Sequence, residues 1–101
     1  MSILHTVNKS TYERDTLEAC VRLASKGGSV LLIEDGVYAA LKGSKYSSAV
    51  EEAMKNKTVY ALGPDLSARG IQEKVLEGVK VVDYGGFVDL VAENDTVQSW
   101  L

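Results

Sequence analysis

The chain has 101 residues, 46% of them hydrophobic, which is enough for one domain spanning 1–101 with its own core and too few for two. Fourteen acidic and eleven basic residues give a net charge of −3, which argues against a surface built for nucleic acid or anionic lipid. The single cysteine, Cys20, excludes an internal disulfide, and with only one histidine, His5, no Cys/His group has zinc spacing. We therefore expect a cytoplasmic domain in a reducing compartment, with no bound metal or cofactor.

In chain order, four short apolar runs alternate with longer segments that mostly have helical patterns. The runs are 3–7, 30–33, 58–62 and 79–82. This alternation predicts parallel strands joined by crossover helices. Because the runs at 30–33 and 79–82 are nearly continuous, we expect both faces of those strands to be covered. The predicted fold class is therefore α/β, a three-layer α/β/α sandwich with a largely parallel sheet of four or five strands.

The first helix is the best marked in the sequence. Ser10 and Glu13 form a capping box at its start, and an apolar stripe runs from Leu17 to Ala24, which predicts a helix over 10–26. Later helical segments are predicted at 37–41, stopping near Gly43, at 47–55, at 66–69 after a turn at 63–65, and in a final helix carrying Phe87, Leu90, Val91 and Asn94. The pattern of 72–78 favours neither helix nor strand.

Two segments are predicted to dock on other parts of the chain or on a partner. We expect 37–41 and the helix that follows it to contribute to a partner interface, since this segment carries more apolar side chains than a core of four strands needs. Trp100 lies close to the chain end, and a large indole is rarely left in water, so the tail from Asp95 should dock on the body or on a partner.

In parallel sheets, ligands collect beyond the carboxyl ends of the strands, which directs attention to three aspartates there, Asp35, Asp65 and Asp83. They could form a receiver-like phosphoacceptor or a magnesium cluster. A receiver needs its acidic pair after the first strand, where this chain has Asn8 and Lys9. The pattern therefore favours turn and cap aspartates that bond nearby backbone amides.

The loop after the first predicted strand, 6–11, combines hydroxyl groups with a lysine ahead of a helix start, where a phosphate could bind. It lacks the glycines that let a backbone wrap a phosphate, so a flavodoxin-like site is disfavoured. His5 falls within the first strand, with no carboxylate or cysteine nearby in sequence. We expect it to be a buried, hydrogen-bonded histidine.

Cys20 is the only nucleophile that suggests a mechanism, because a thiolate can accept, hold and pass on sulfur as a persulfide. At 100° per residue it lies about 60° from the apolar stripe of the first helix, at the margin of the core. Its helical neighbours are not cationic, and it lies beyond the first turn, so nothing local should lower its pKa. From the residues alone, a packing cysteine is favoured over a reactive thiol.

Several stretches of the chain, taken together, resemble a known protein family. They are Leu4-His-Thr6, Leu31-Leu-Ile-Glu-Asp-Gly-Val37, Tyr60-Ala-Leu62, Asp65-Leu-Ser-Ala-Arg-Gly70, Val82-Asp-Tyr84, Phe87-Val-Asp-Leu90 and Trp100. Their order and spacing resemble the DsrH/TusB family of sulfur-relay subunits over essentially the whole chain. The resemblance implies a DsrEFH-like fold and a cytoplasmic heterohexamer with DsrE/TusD-like and DsrF/TusC-like subunits. That complex hands persulfide sulfur to a DsrC/TusE-type carrier protein.

The resemblance also bears on the pathway and on Cys20. TusB-like members serve 2-thiolation of the tRNA wobble uridine, whereas DsrH-like members serve sulfur oxidation, and a first-helix cysteine matched by Cys20 is typical of the DsrH side. The main persulfide cysteine belongs to the DsrE/TusD-type partner, in a loop without cysteine here. This chain is therefore an accessory sulfurtransferase subunit unless Cys20 itself accepts sulfur. The alternatives are a flavodoxin-like or receiver-like binding module and a non-catalytic interaction subunit.

Overall fold

The sheet has five strands, all parallel to their neighbours, in the order β4-β3-β2-β1-β5. The structure, a computed structural model, describes residues 3–8, 28–43, 47–55 and 57–100. The strands are β1 at Ile3–Val7, β2 at Ser29–Leu32, β3 at Thr58–Leu62, β4 at Lys80–Val82 and β5 at Thr96–Trp100. The predicted strands at 3–7 and 58–62 are confirmed at both ends, and β2 begins and ends one residue earlier than predicted.

Short helical segments connect the strands. They are the 3-10 helix η1 at Glu34–Ala40, helix α1 at Ser47–Ala53, helix α2 at Gly63–Ala68, the 3-10 helix η2 at Gln72–Lys74, and helix α3 at Tyr84–Glu93. Each predicted helical segment beyond residue 30 has a counterpart among them. The helix predicted over 10–26, and Cys20 within it, lie outside the described residues.

Two hydrophobic cores lie on opposite faces of the sheet, because consecutive residues of a strand point to opposite sides. Val30 of β2 belongs to a core shared with η1, α1 and α2, whereas Leu31 belongs to a second core with Leu4 of β1 and Leu90 of α3. All four of these residues are buried. The sheet is thus covered on both faces, which confirms the three-layer α/β/α sandwich.

The segment 37–41 lies in the core, so the prediction that it contributes to a partner interface is wrong. Val37 and Ala40 are fully buried on the η1 side of the sheet, and Tyr38 and Leu41 pack partly buried against the same core. Gly36 makes this close approach possible, since a Cβ there would overlap the backbone carbonyl oxygen of Val7. The apolar density of the segment fills one face of the sheet.

The C-terminal tail forms β5, an edge strand that the sequence patterns did not distinguish as a strand. It pairs in parallel with β1, with Val97 opposite Leu4 and Trp100 opposite Val7. The hydroxyl of Thr6 on β1 donates to the hydroxyl of Ser99 over 3.3 Å. The expected docking of the tail is therefore confirmed, and its binding site is the free edge of β1.

The other edge of the sheet differs from its prediction. Lys80 and Val81 of β4 are exposed and Val82 is partly buried, so β4, which pairs only with β3, is not covered on both faces. The nearly continuous apolar run at 79–82 predicted that other parts of the chain cover both faces of this strand. The final helix also differs in one position, since Leu90 is buried and Phe87 half-buried as predicted while Val91 is exposed.

Candidate functional site

An arginine and two aspartates meet where β2 and β3 end. Asp35 lies in η1, which follows β2. Asp65 lies in α2, which follows β3, and Arg69 is the residue that caps the C-terminal end of α2. Parallel strands bring their carboxyl ends to one edge, so the helices that follow β2 and β3 begin side by side. We call Asp35, Asp65 and Arg69 the carboxyl-edge cluster.

Arg69 joins the two helices through its guanidinium. Nε and Nη2 donate to Oδ1 of Asp35 over 3.1 and 2.8 Å. Nη1 donates to the backbone carbonyl of Asp65 over 3.2 Å and lies 3.8 Å from its Oδ1. The hydrogen bond to Asp35 raises the pKa of Arg69 above its usual value, with desolvation by burial opposing and the charge of Asp35 assisting. The guanidinium therefore stays charged, and two carboxylates flank it.

The cluster also fixes an unusual backbone conformation. Glu34 has a φ of +50°, which is rare for a residue other than glycine. Its backbone N–H donates to Oδ2 of Asp65 over 2.6 Å, so a charge-assisted hydrogen bond supports the turn. The Cζ of Arg69 lies 6.0 Å from the ring centroid of Tyr38, at the outer limit of a cation–π contact. The cluster thus holds η1 against α2.

The third predicted aspartate, Asp83, acts alone as a helix cap. It precedes α3, and its Oδ1 accepts the N–H of Gly86 over 2.8 Å. Asp83 therefore makes the local cap bond that the sequence analysis favoured, whereas Asp35 binds the side chain of Arg69 and Asp65 accepts the N–H of Glu34, both distant in sequence. In the ranges that the structure describes, no group of three His, Cys, Asp or Glu residues could hold a metal ion.

As far as the structure describes the end of β1, up to Asn8, it supplies no acidic group to the carboxyl edge. Asn8 follows β1, and its Oδ1 is buried and accepts no hydrogen bond within the described part of the chain. His5, farther back on β1, is buried as predicted. Burial lowers the pKa of His5, and the positive charge of Lys57 lowers it further, so its neutral form is favoured.

Arg69 is the residue of this site that the sequence analysis did not single out. Asp65 and Arg69 are four residues apart, a spacing that places oppositely charged side chains together on one helical turn. That spacing was the available signal, but the partner from η1, Asp35, lies thirty-four residues away and no local pattern indicates it. Cys20, the predicted catalytic residue, lies outside the described residues.

Comparison with known proteins assigns the family. The family model described as DsrH like protein matches residues 9–97. The chain belongs to the DsrH/TusB family. It is 37% identical to Protein TusB of Shigella flexneri and 36% identical to Protein TusB of Escherichia coli K12, in both cases over 98 residues that cover 97% of this chain and all of the relative. The resemblance to this family of sulfur-relay subunits is thereby confirmed.

Solved structures support the fold. The ychN protein from E. coli superposes with a TM-score of 0.84 at 21% identity, covering 99% of both chains. The protein of unknown function MTH1491 from Methanobacterium thermoautotrophicum gives 0.76 at 23% identity, covering 97% of both. At such identities the likeness concerns the fold alone. Within the described helices, none is both long and apolar enough to cross a membrane.

Proposed function

We propose that the chain is a subunit of a cytoplasmic heterohexameric sulfur relay, built with DsrE/TusD-like and DsrF/TusC-like chains, which passes persulfide sulfur to a DsrC/TusE-type carrier. One observation carries the proposal, namely the match to TusB relatives over their full length at 36 to 37% identity. A match that covers 97% of this chain and all of the relative supports a shared role for the whole domain and not only a shared fold.

The candidate thiol of this chain is Cys20, since the sequence has no other cysteine. In the proposed step, the Cys20 thiolate attacks the terminal sulfur of a persulfide on the partner. A new S–S bond forms on Cys20, the old S–S bond breaks, and the partner cysteine leaves as a thiolate. The exchange consumes no oxidant or reductant, so it needs no cofactor.

The carboxyl-edge cluster has a structural part in this proposal. Its guanidinium and two carboxylates bind one another, and no nucleophilic thiol lies at that edge in the described ranges. The cluster fixes the relative position of η1 and α2 beneath any partner that approaches this edge. The sulfur chemistry therefore rests on Cys20 and on the partner subunits.

Assembly is the first test. Co-expression of the chain with the two homologous subunits of its own organism, followed by native mass spectrometry, should give a complex with two copies of each chain. Sulfur transfer from that complex to the carrier should require this chain. A chain that never associates with either homologue, under conditions where those two associate with each other, would contradict the proposal.

The pathway is a separate question with a separate readout. A strain lacking the gene should lose 2-thiouridine at the wobble position of its tRNA if the relay serves thiolation. It should instead lose oxidation of stored sulfur if the relay serves sulfur oxidation, the pathway that Cys20 favours. Liquid chromatography of tRNA nucleosides and sulfate measurement separate the two outcomes.

A further inference from the structure

Strand β5 leaves one edge of the sheet open. It pairs with β1, and within the described ranges no strand pairs with its other side. The side chains of residues 96–99 are exposed. In an edge strand, backbone N–H and C=O groups point alternately toward the neighbouring strand and away from it. The outer edge of β5 therefore presents a row of backbone groups to which a further strand can bond.

The two edges of the sheet differ in how well they resist such pairing. Strand β4 has three residues, begins with the charged Lys80 and is followed by Asp83. Short length, charged side chains, proline and bulges keep edge strands from pairing with other chains. Strand β5 has five residues, none of them charged and none of them proline, and its register with β1 runs without a bulge. The contrast with β4 indicates that β5 is an edge that pairs with another chain.

A second copy of β5 matches this edge in length and in charge. If the two strands run antiparallel with Gln98 on a two-fold axis, Val97 lies opposite Ser99 of the other copy, and no two charges face each other across the pair. The charged residue nearest to the strand in sequence is Asp95. Its two copies then lie at opposite ends of the pair, about 20 Å apart at roughly 3.4 Å per residue. Parallel pairing would instead place these carboxylates side by side.

The size of the contact decides where it can form. A stable interface takes about 20 to 30 residues from each side, and β5 contributes five. Strand pairing alone therefore does not hold two copies together. It needs a complex in which other contacts already bring two copies of the chain close to each other.

We propose that β5 pairs antiparallel with β5 of a second copy of this chain, so that the two sheets join into one continuous sheet. The inference rests on the proposed function, since a relay complex with two copies of each subunit supplies the additional contacts. The pairing places this chain at the two-fold axis of that complex, with Gln98 at the point where the two copies meet.

A photo-crosslinking side chain in the assembled complex identifies what lies beside β5. The variant is Gln98→benzoylphenylalanine, and its matched control is Val81→benzoylphenylalanine, at an exposed residue of the other edge strand. After irradiation, mass spectrometry should find this chain cross-linked to its own copy from position 98 and not from position 81. Cross-linking of position 98 to a homologous subunit, no cross-link at 98 in an intact complex, or the same product from both positions would overturn the inference.

A charge placed on the axis gives a second, quantitative test. In Gln98→Lys two ammonium groups face each other across the strand pair, whereas Gln72→Lys makes the same change at an exposed glutamine of η2. At low salt we expect Gln98→Lys to raise the dissociation constant between the two halves of the complex about fivefold, with recovery at high salt, and the control to stay within about twofold. Equal effects of the two variants would overturn this inference alone. Failure of the unchanged chain to join any complex would contradict the proposed function.

Discussion

At the scale of single residues, Arg69 donates three hydrogen bonds to Asp35 and Asp65, and its removal should be measurable. In Arg69→Met, Asp35 loses two hydrogen bonds and Asp65 loses its cationic neighbour. We expect a loss of about 1 kcal/mol in the free energy of unfolding, a modest figure because Asp35 is 47% exposed. Urea denaturation measures it.

The matched control is the surface ion pair between Lys55 and Glu52, whose side chains are 69% and 68% exposed. Lys55→Met should change the free energy of unfolding by less than about 0.5 kcal/mol, because exposed pairs contribute little. Equal effects of the two substitutions would show that the carboxyl-edge cluster stabilises no more than an ordinary surface pair.

Among the glycines that the structure describes, Gly36 is the one at which an added methyl group should destabilise the fold most. The Cβ of Gly36→Ala would overlap the carbonyl oxygen of Val7, so η1 must move away from the end of β1. We expect a loss of about 3 kcal/mol in the free energy of unfolding. Gly43→Ala is the comparison, since its Cβ meets nothing within 4 Å and only its φ of +68° is unfavourable, at a cost of about 1 kcal/mol. The reverse order of the two melting temperatures would contradict the packing described for η1.

His5 should make stability depend on pH. Burial lowers its folded pKa below the ordinary value of 6.5, so the unfolded chain binds a proton more readily than the folded one. The contribution is therefore complete above pH 6.5 and is lost as the pH falls from there through the folded pKa. In His5→Gln, the slope of unfolding free energy against pH should be shallower over that window. Identical slopes for both proteins would refute the assigned titration.

At the scale of the elements, the tail tests whether an edge strand contributes to folding. Deletion of residues 98–101 removes most of the pairing between β5 and β1, including the register pairs at His5, Thr6 and Val7. We expect a loss of at least about 2 kcal/mol in the free energy of unfolding, because several backbone hydrogen bonds disappear together. Thermal unfolding checks this, with Gln98→Ala as a control that keeps the strand. A deletion that melts like the full chain would mean that β5 is dispensable.

Local patterns predicted the strands of the sheet interior and the helices between them, because Val30, Leu31 and Leu32 must be apolar to be buried on both faces. The local patterns failed at the two edge strands, β4 and β5. Strand β4 has exposed faces despite its apolar run, and β5 is a strand despite its polar residues, since pairing with β1 and not local composition places it there. The local patterns of this chain did not show which strands lie at the edges of the sheet.

The candidate site divides in the same way. Bonds within one turn, such as Asp83 to Gly86, follow from cap chemistry and were predicted. The bond between Arg69 and Asp35 depends on the lateral contact of η1 and α2, which only the assembled sheet creates. The segment 37–41 was misassigned to an interface because apolar density does not distinguish a core from a partner surface.

At the scale of the whole molecule, the chain has an ion-paired cluster where β2 and β3 end, and three exposed apolar side chains, Tyr84, Val88 and Val91, on α3. Neither feature is itself a reactive group. Both suit a subunit that is held in place by other chains, which is the role proposed from its membership of the DsrH/TusB family. The remaining chemical question is whether sulfur passes through Cys20.

The most direct measurement is the mass of each subunit after the assembled complex is loaded with a persulfide donor, in parallel for the unchanged chain and for Cys20→Ser. We predict one added sulfur atom on this chain, its absence in Cys20→Ser, and slower delivery to the carrier by an otherwise intact variant complex. A complex that adds no sulfur to this chain and delivers equally fast with Cys20→Ser would contradict the sulfur-carrying role and leave a docking subunit.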